Sequence, residues 1–266
     1  MKTWAIVDKD APIVRSIRKL DLAVRVRDFV VEKQIGLRSW YNAYAYEAPI
    51  EPLRIYEVDP EEITQAMEPF DGPKRMIAGK VLGGTWDEET RPFSELDGEN
   101  HLAVYESFVD RFENGVPWEE TPFYEALMRE VQTGRGRWGC RSEDDVRSRC
   151  RAMDELYRTI ESNGYRSQRA LAESKVPPTE RNRPEIWRII NNEIAVNVGR
   201  SGELVFYDGR HRLAIAKILE LESIPVVVLV RHRRWQRTRD RIARKETSVD
   251  DLPVGLRTHP DVVDLL

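Results

Sequence analysis

Six consecutive residues, Tyr207-Asp208-Gly209-Arg210-His211-Arg212, bring a carboxylate, a glycine, two guanidiniums and an imidazole into one short run. The apolar Leu204-Val205-Phe206 before them reads as a strand, and a helix is predicted over 212–221. Between the two, Gly209 lets the backbone turn sharply. The first N–H groups of a helix have no intrahelical partner, and the helix dipole adds partial positive charge there. Arginine forks match phosphate oxygens, and a histidine supplies a further donor. Gly209, Arg210, His211 and Arg212 are therefore the candidate phosphate binders, and Asp208 can orient an arginine, hold a phosphate-bound Mg²⁺ or assist proton transfer. The competing account is an ordinary helix start whose arginines pair with surface acids. A run of three such side chains directly after strand–Asp–Gly favours the anion site.

The elements that must hold this turn are legible around it. Glu193-Ile194-Ala195-Val196-Asn197-Val198 reads as a strand, Arg200-Ser201-Gly202 as a hairpin turn, and Ile224-Pro225-Val226-Val227-Val228-Leu229-Val230 as a strand buried on both faces. Upstream, Leu53-Arg54-Ile55-Tyr56-Glu57-Val58 alternates like a strand, and a second extended piece over 76–82 runs into Gly83-Gly84-Thr85-Trp86-Asp87. That glycine turn presents Asp87, either as a helix cap or as a reactive acid, and Trp86, either as packing or as a stacking platform. Helices are predicted over 102–112, from the Thr121-Pro122 cap, and from the acid-rich start Ser142-Glu143-Asp144-Asp145 to Asn163-Gly164. The proline-rich stretch 175–184 reads as a loop or lid.

The first fifty residues read as an amphipathic helix, with Ile13, Ile17, Leu20 and Val24 on one stripe, Leu22, Val26, Phe29 and Val30 on the next, and basic residues between. Packing on the domain with a solvated basic face is the expected role; a membrane-surface helix is the alternative. Tyr41, Tyr44 and Tyr46 are expected to pack. Residues 231–245 carry seven arginines and a lysine against Asp240 alone. They, with His232 and Trp235, close the phosphate site from behind, form a solvated face, or touch nucleic acid.

Composition sets the outer bounds. The chain has 266 residues, 33% of them charged, and a net charge of −4, which disfavours a protein devoted to coating nucleic acid. No run of apolar residues is long enough to span a bilayer, and Met1 to Asp8 lacks the apolar core and cleavage site of a signal peptide. Cys140 and Cys150 are expected as reduced thiols, and the scattered His101, His211, His232 and His259 show no metal-ligand spacing, so no structural metal is expected. A cytoplasmic protein is expected, with contact at a membrane surface left open by the basic N-terminal helix.

The block from 193 to 230 resembles the ParB/sulfiredoxin superfamily. Tyr207-Asp208-Gly209-Arg210-His211-Arg212-Leu213-Ala214-Ile215-Ala216 and Ile224-Pro225-Val226-Val227 carry the likeness, with the helix ending at Asn163-Gly164-Tyr165 ahead of them. The resemblance implies an α+β fold: a small mixed sheet with helices over 51–235, interrupted by a helical insertion at about 95–145. An N-terminal helical segment over 1–50 precedes it, and a basic helix and tail over 236–266 follow. Sulfiredoxins carry a cysteine where Arg210 stands, which excludes sulfinic-acid reduction. Partitioning proteins of the superfamily bind CTP and carry a helix-turn-helix DNA reader, for which little chain remains after Val230, so DNA is not favoured as a partner. The free-serine kinases of archaea have a box close to Asp208-Gly209-Arg210-His211-Arg212. That likeness implies ATP (or CTP) and Mg²⁺ as cofactors, with phosphotransfer to a small or lipid-linked hydroxyl acceptor. Gly209, Arg210, His211 and Arg212 then bind the nucleotide phosphates, Asp208 lies near the transferred phosphate, and Asp87, or Glu88 or Glu89 beside it, is the acceptor's base. A nucleotide-regulated module that binds DNA or protein without phosphotransfer is the alternative.

Overall fold

The structure is a computed structural model that describes residues 12–70, 74–96, 103–167, 170 and 192–265. It is an α+β fold around one mixed sheet of seven strands. Strand β7 (Ile224–His232) is its spine. On one side β7 pairs in parallel with β5 (Ile194–Val198); on the other it pairs antiparallel with β1 (Ile55–Val58) and, further along, in parallel with β3 (Lys80–Leu82). Beyond β5 lie β6 (Leu204–Asp208), then β2 (Gln65–Met67), then β4 (Thr90–Pro92).

Residues along the central strands alternate between two apolar layers, as the two-residue period of a strand requires. Ile194, Val196, Val198, Leu204, Phe206, Ile224, Val226 and Val228 face a core built with helices α2 (Val104–Phe112), α3 (Pro122–Gln132), α4 (Glu143–Asn163) and α5 (Arg210–Ile218). Ala195, Val205, Tyr207, Val227, Leu229 and Val230 face the long N-terminal helix α1 (Pro12–Ala45). Covering both faces explains why β7 is apolar from Ile224 to Val230, and each fully buried valine or leucine there contributes on the order of 1.5–3 kcal/mol.

Leu229 and Val230 lie in the same layer, a break in the alternation. The register between β5 and β7 slips there, from Val196↔Val228 to Val198↔Arg231. Such a bulge leaves one N–H outside the ladder. Here the buried Asn197 side chain accepts it, Val230 N–H to Oδ1 at 3.0 Å. The slip swings Arg231 into the first layer, where its guanidinium meets the Asp261 carboxylate at 2.6 Å.

Helix caps follow the local sequence. The Thr121 hydroxyl accepts from the Tyr124 N–H at the start of α3, and Ser142 and Asp145 cap α4 reciprocally. Helix α6 (Arg233–Ala243) follows β7, and the short helices α7 (Val254–Arg257) and α8 (Pro260–Val263) bring the C-terminal residues back against β1.

Several expectations need correction. The 76–82 segment is a short helical turn over Lys74–Met76 and only three strand residues. Helix α5 begins at Arg210, two residues before the predicted start. Strands β2 and β4 had no sequence signal. Of the N-terminal helix, Val31 and Ile35 dock on the sheet layer, and Asn42 Nδ2 bridges the Ile50 and Gly79 carbonyls at 3.2 and 3.0 Å. Tyr41 and Tyr44 do not pack: they are exposed, with Val26, Phe29, Val30, Leu37 and Trp40, because the docking stripe is only one narrow face of the helix. The side chains of Ile13, Ile17, Leu20, Leu22 and Val24, and the 175–184 stretch, lie outside the described residues.

Candidate functional site

Strand β6 ends at Asp208, and Gly209 takes a left-handed conformation with φ +100°. Only glycine fits: a Cβ here would lie 3.0 Å from Ile194 Cα and 3.2 Å from its Cγ1. The turn therefore passes directly over the start of β5 and launches α5. The Gly209 carbonyl accepts from the Arg212 and Leu213 N–H groups at 3.0 and 3.1 Å. No side chain caps the helix, so its first turn keeps the donors and the partial positive charge that an anion meets.

The turn lines a cavity of about 260 Å³. Residues 208–212 form one part of the wall, and Arg137 and Trp138, from the connection between α3 and α4, form the rest. All five expected box residues, Asp208, Gly209, Arg210, His211 and Arg212, are thus brought together on one cavity wall. The Asp208 Oδ1 atom accepts the Gly209 N–H at 2.7 Å, and its Oδ2 forms an ion pair with Lys74. Lys74 had been missed in the sequence, since nothing in its neighbourhood links it to a turn 134 positions away.

His211 is sheathed by rings. Phe108 stacks on it at 5.6 Å, and Phe123 and Trp138 approach edge-on at 5.9 and 4.7 Å. Burial, reinforced by Arg149, Arg210 and Arg212, pushes its pKa down to about 3. The imidazole is therefore neutral at physiological pH, and its Nε2 is buried with no hydrogen-bond partner among the described residues. Arg149 is also half-buried; its guanidinium lies 5.2 Å from the Trp138 ring centroid and its Nε lacks a partner. Burial lowers the pKa of both Arg149 and Arg210. Among the residues lining the cavity, the carboxylate is Asp208, and it is already matched by Lys74.

Asp87 is elsewhere. Its side chain is inaccessible and bound on both oxygens by Arg200: the Arg200 backbone N–H and Nε reach Oδ2 at 2.7 and 2.9 Å, and Nη2 reaches Oδ1 at 2.8 Å. Burial acts to raise its pKa, but the Arg200 hydrogen bonds outweigh it and hold the carboxyl below the usual range. Arg200 sits in the turn between β5 and β6, and Asp208 ends β6 at the opposite end of that hairpin. Four residue-to-residue steps of strand lead from Leu204 to Asp208, roughly 13 Å. Asp87 is accordingly a structural clamp rather than a base at the box, and Glu88, paired to Arg200, shares its location. Glu89 is exposed two residues further along the same turn.

The residues expected to close the phosphate site from behind also lie at that far end. His232 caps α6 by accepting the Arg234 N–H at 3.1 Å, and its Nε2 is 3.1 Å from the Gly84 carbonyl. Trp86 packs against Phe70 and His232 instead of facing a ligand. Trp235 is buried, donating to Asp261 at 2.9 Å. Arg231 and Arg239 also converge on Asp261, whereas Arg233, Arg234, Arg237 and Arg241 are exposed. The basic segment is thus divided between a buried ion network and a solvated face.

No helix among the described residues is long and apolar enough to cross a membrane. Comparison of the chain with protein-family models, with curated proteins and with solved structures finds no match.

Proposed function

We propose that the turn at Asp208 to Arg212 binds the phosphate chain of a nucleotide, ATP or CTP, and that the protein is a phosphotransferase acting on a small or lipid-linked hydroxyl. One observation carries the reading. Arg137, Arg210 and Arg212 line the cavity at an uncapped helix start with Arg149 close behind His211, the buried His211 Nε2 and Arg149 Nε have no hydrogen-bond partner among the described residues, and the lining carboxylate is already neutralised. Glu68 favours the Arg210 charge, but one such acid does not match several guanidiniums at a partly desolvated site, and a bound anion would stabilise them further. Guanidinium groups are suited to phosphate oxygens, so the donor set fits a nucleotide.

Mg²⁺ at such sites is held by one or two carboxylates and by the phosphates themselves, and when bound it neutralises charge on them. Asp208 would supply the carboxylate. Giving up Lys74 for the ion would leave that ammonium available to phosphate. Phosphoryl transfer proceeds through a loose transition state that needs positioning and charge neutralisation above all. Arg210 and Arg212 provide both, and the ring-sheathed His211 limits water at the turn.

A second reading, a nucleotide-regulated binding module without transfer, is favoured by the placement of Asp87. No acid other than Asp208 among the described residues lines the cavity. The exposed arginines of α6 would then be its contact surface for DNA or protein. Labelled ATP and CTP with Mg²⁺, followed with and without polar metabolites and lipids, separate the two. Acceptor-dependent transfer that is lost in Asp208→Asn supports the enzyme. Tight nucleotide binding with no turnover, together with salt-sensitive retention of DNA, overturns it in favour of the module.

A further inference from the structure

The wall of the cavity that does not come from the strand–helix turn is built by Arg137 and Trp138, which lie within the run Gly134-Arg135-Gly136-Arg137-Trp138-Gly139. This run joins α3 to α4 inside the helical insertion. Gly134, Gly136 and Gly139 have φ values of +71°, +55° and +82°, and Trp138 itself is at +50°. The left-handed turns fold the connection back so that Arg137 and Trp138 reach the start of α5.

Trp138 is not an open platform for a flat ligand. Its edge contacts His211 at 4.7 Å, and the Arg149 and Arg137 guanidiniums lie 5.2 and 5.7 Å from its centroid. Cation–π contacts of this kind fix where a guanidinium sits. The ring thus holds Arg137 at the cavity from a different element than the one bearing Arg210 and Arg212. Among the described residues Arg137 is in no ion pair, and the buried His211 Nε2, which has no hydrogen-bond partner among them, belongs to a residue of the same wall. The cavity volume of about 260 Å³ is below the 300–1,000 Å³ range of sites that enclose a whole drug-sized ligand. It suits a chain of phosphates with the nucleoside outside.

Resting on the phosphate-binding reading above, we propose that Arg137, steadied by Trp138, is a phosphate ligand supplied by the insertion, so that the protein recognises the length of a phosphate chain rather than the base attached to it. Cations on two elements can each take a different phosphate of one chain, so a longer chain engages more of them than a single phosphate does. Trp138 keeps 37% of its surface exposed, but two guanidiniums already lie against its ring and no further Phe, Tyr or Trp among the described residues lines the cavity to sandwich a base.

Calorimetric titration of the full chain with inorganic tripolyphosphate, orthophosphate, ATP, CTP and AMP tests this. The expected result is similar affinity, within a few-fold, for tripolyphosphate, ATP and CTP, with AMP and orthophosphate weaker by about tenfold or more. Arg137→Ala is expected to weaken tripolyphosphate and ATP by the same factor, about tenfold, and Arg137→Lys by less. Trp138→Phe, which keeps a ring, serves as the milder variant where Trp138→Ala disturbs folding. If Arg137→Ala binds like the wild type while the Arg210→Ala/Arg212→Ala variant does not, the insertion is no part of the site and the proposal falls alone. Affinity for ATP tenfold above both CTP and tripolyphosphate overturns the chain-length claim. If tripolyphosphate and ATP bind the wild type and the Arg210→Ala/Arg212→Ala variant alike, or bind neither, the phosphate-binding reading falls and this proposal with it.

Discussion

Gly209 is where chemistry and conformation meet most tightly. Its φ of +100° and the 3.0 Å approach of Ile194 to an added Cβ leave no relaxed place for a side chain. Gly209→Ala should therefore destabilise the protein by on the order of 1–3 kcal/mol, seen as a lower urea midpoint, and should weaken anion binding as the helix start shifts. At Asp208 the expectation is the reverse division: its carboxylate is half-exposed and paired to Lys74, so Asp208→Asn should leave stability within about 0.5–1 kcal/mol of wild type while abolishing any Mg²⁺-dependent transfer. His211 adds a pH signature. Its pKa is about 3 in the folded chain, below the ordinary value, so between those two values the unfolded state binds more protons. Stability is then complete above pH ~6.5 and declines as pH falls from there toward 3.

At the scale of elements, the β5–β6 hairpin separates two sites that sequence order places on the same footing. One end carries the Asp208 turn; the other carries Arg200, on which Asp87 and Glu88 converge. Removing Arg200 leaves a buried, uncompensated carboxylate. Arg200→Ala should thus lower the urea midpoint of unfolding without selectively weakening nucleotide binding in the fraction that remains folded. A loss of binding with unchanged stability would place Asp87 in the site after all. The hairpin, β7 and the 208–212 turn were legible in the sequence because glycine, alternation and an apolar run each act locally. Strands β2 and β4, three residues each, have too few positions for a period to show. The Asp87–Arg200 pair spans 113 positions, and Arg137 and Trp138 reach α5 only through the packing of the whole insertion, so neither had a local signal. The Gly-Arg-Gly-Arg-Trp-Gly run at 134–139 was the nearest thing to one.

For the molecule as a whole, the chain end is tied into the sheet by one buried carboxylate. Asp261 receives Arg231 at 2.6 Å, Arg239 at 3.3 Å and Trp235 at 2.9 Å, and none of the three cationic or acidic side chains is appreciably exposed. Burial opposes its ionisation, but the two arginines prevail and hold it well below the usual carboxylate range. Its contribution is therefore present above pH ~4 and lost as pH falls below that. His259, beside it, is pushed down to about 4 by burial, with Arg231 and Arg239 adding and Asp261 partly offsetting. Like His211, it resists protonation in the folded state, so its loss begins earlier, below pH ~6.5. The urea midpoint should be level between pH 7 and 8, lower at pH 5 and lower again at pH 3. His259→Asn, which keeps an acceptor for the Asp261 N–H, should shrink the step between pH 7 and 5. This clamp holds the sheet that in turn carries the 208–212 turn.

The central claim is that Arg210 and Arg212 at the start of α5 hold a nucleotide's phosphates. Its most direct test is a calorimetric titration of ATP with Mg²⁺ at fixed salt into the wild type and into the Arg210→Ala/Arg212→Ala variant, each first shown to melt cooperatively. The expected result is stoichiometric binding to the wild type, weakened at least tenfold in the variant. Equal affinity in the two proteins, or no heat of binding in the wild type, would contradict it.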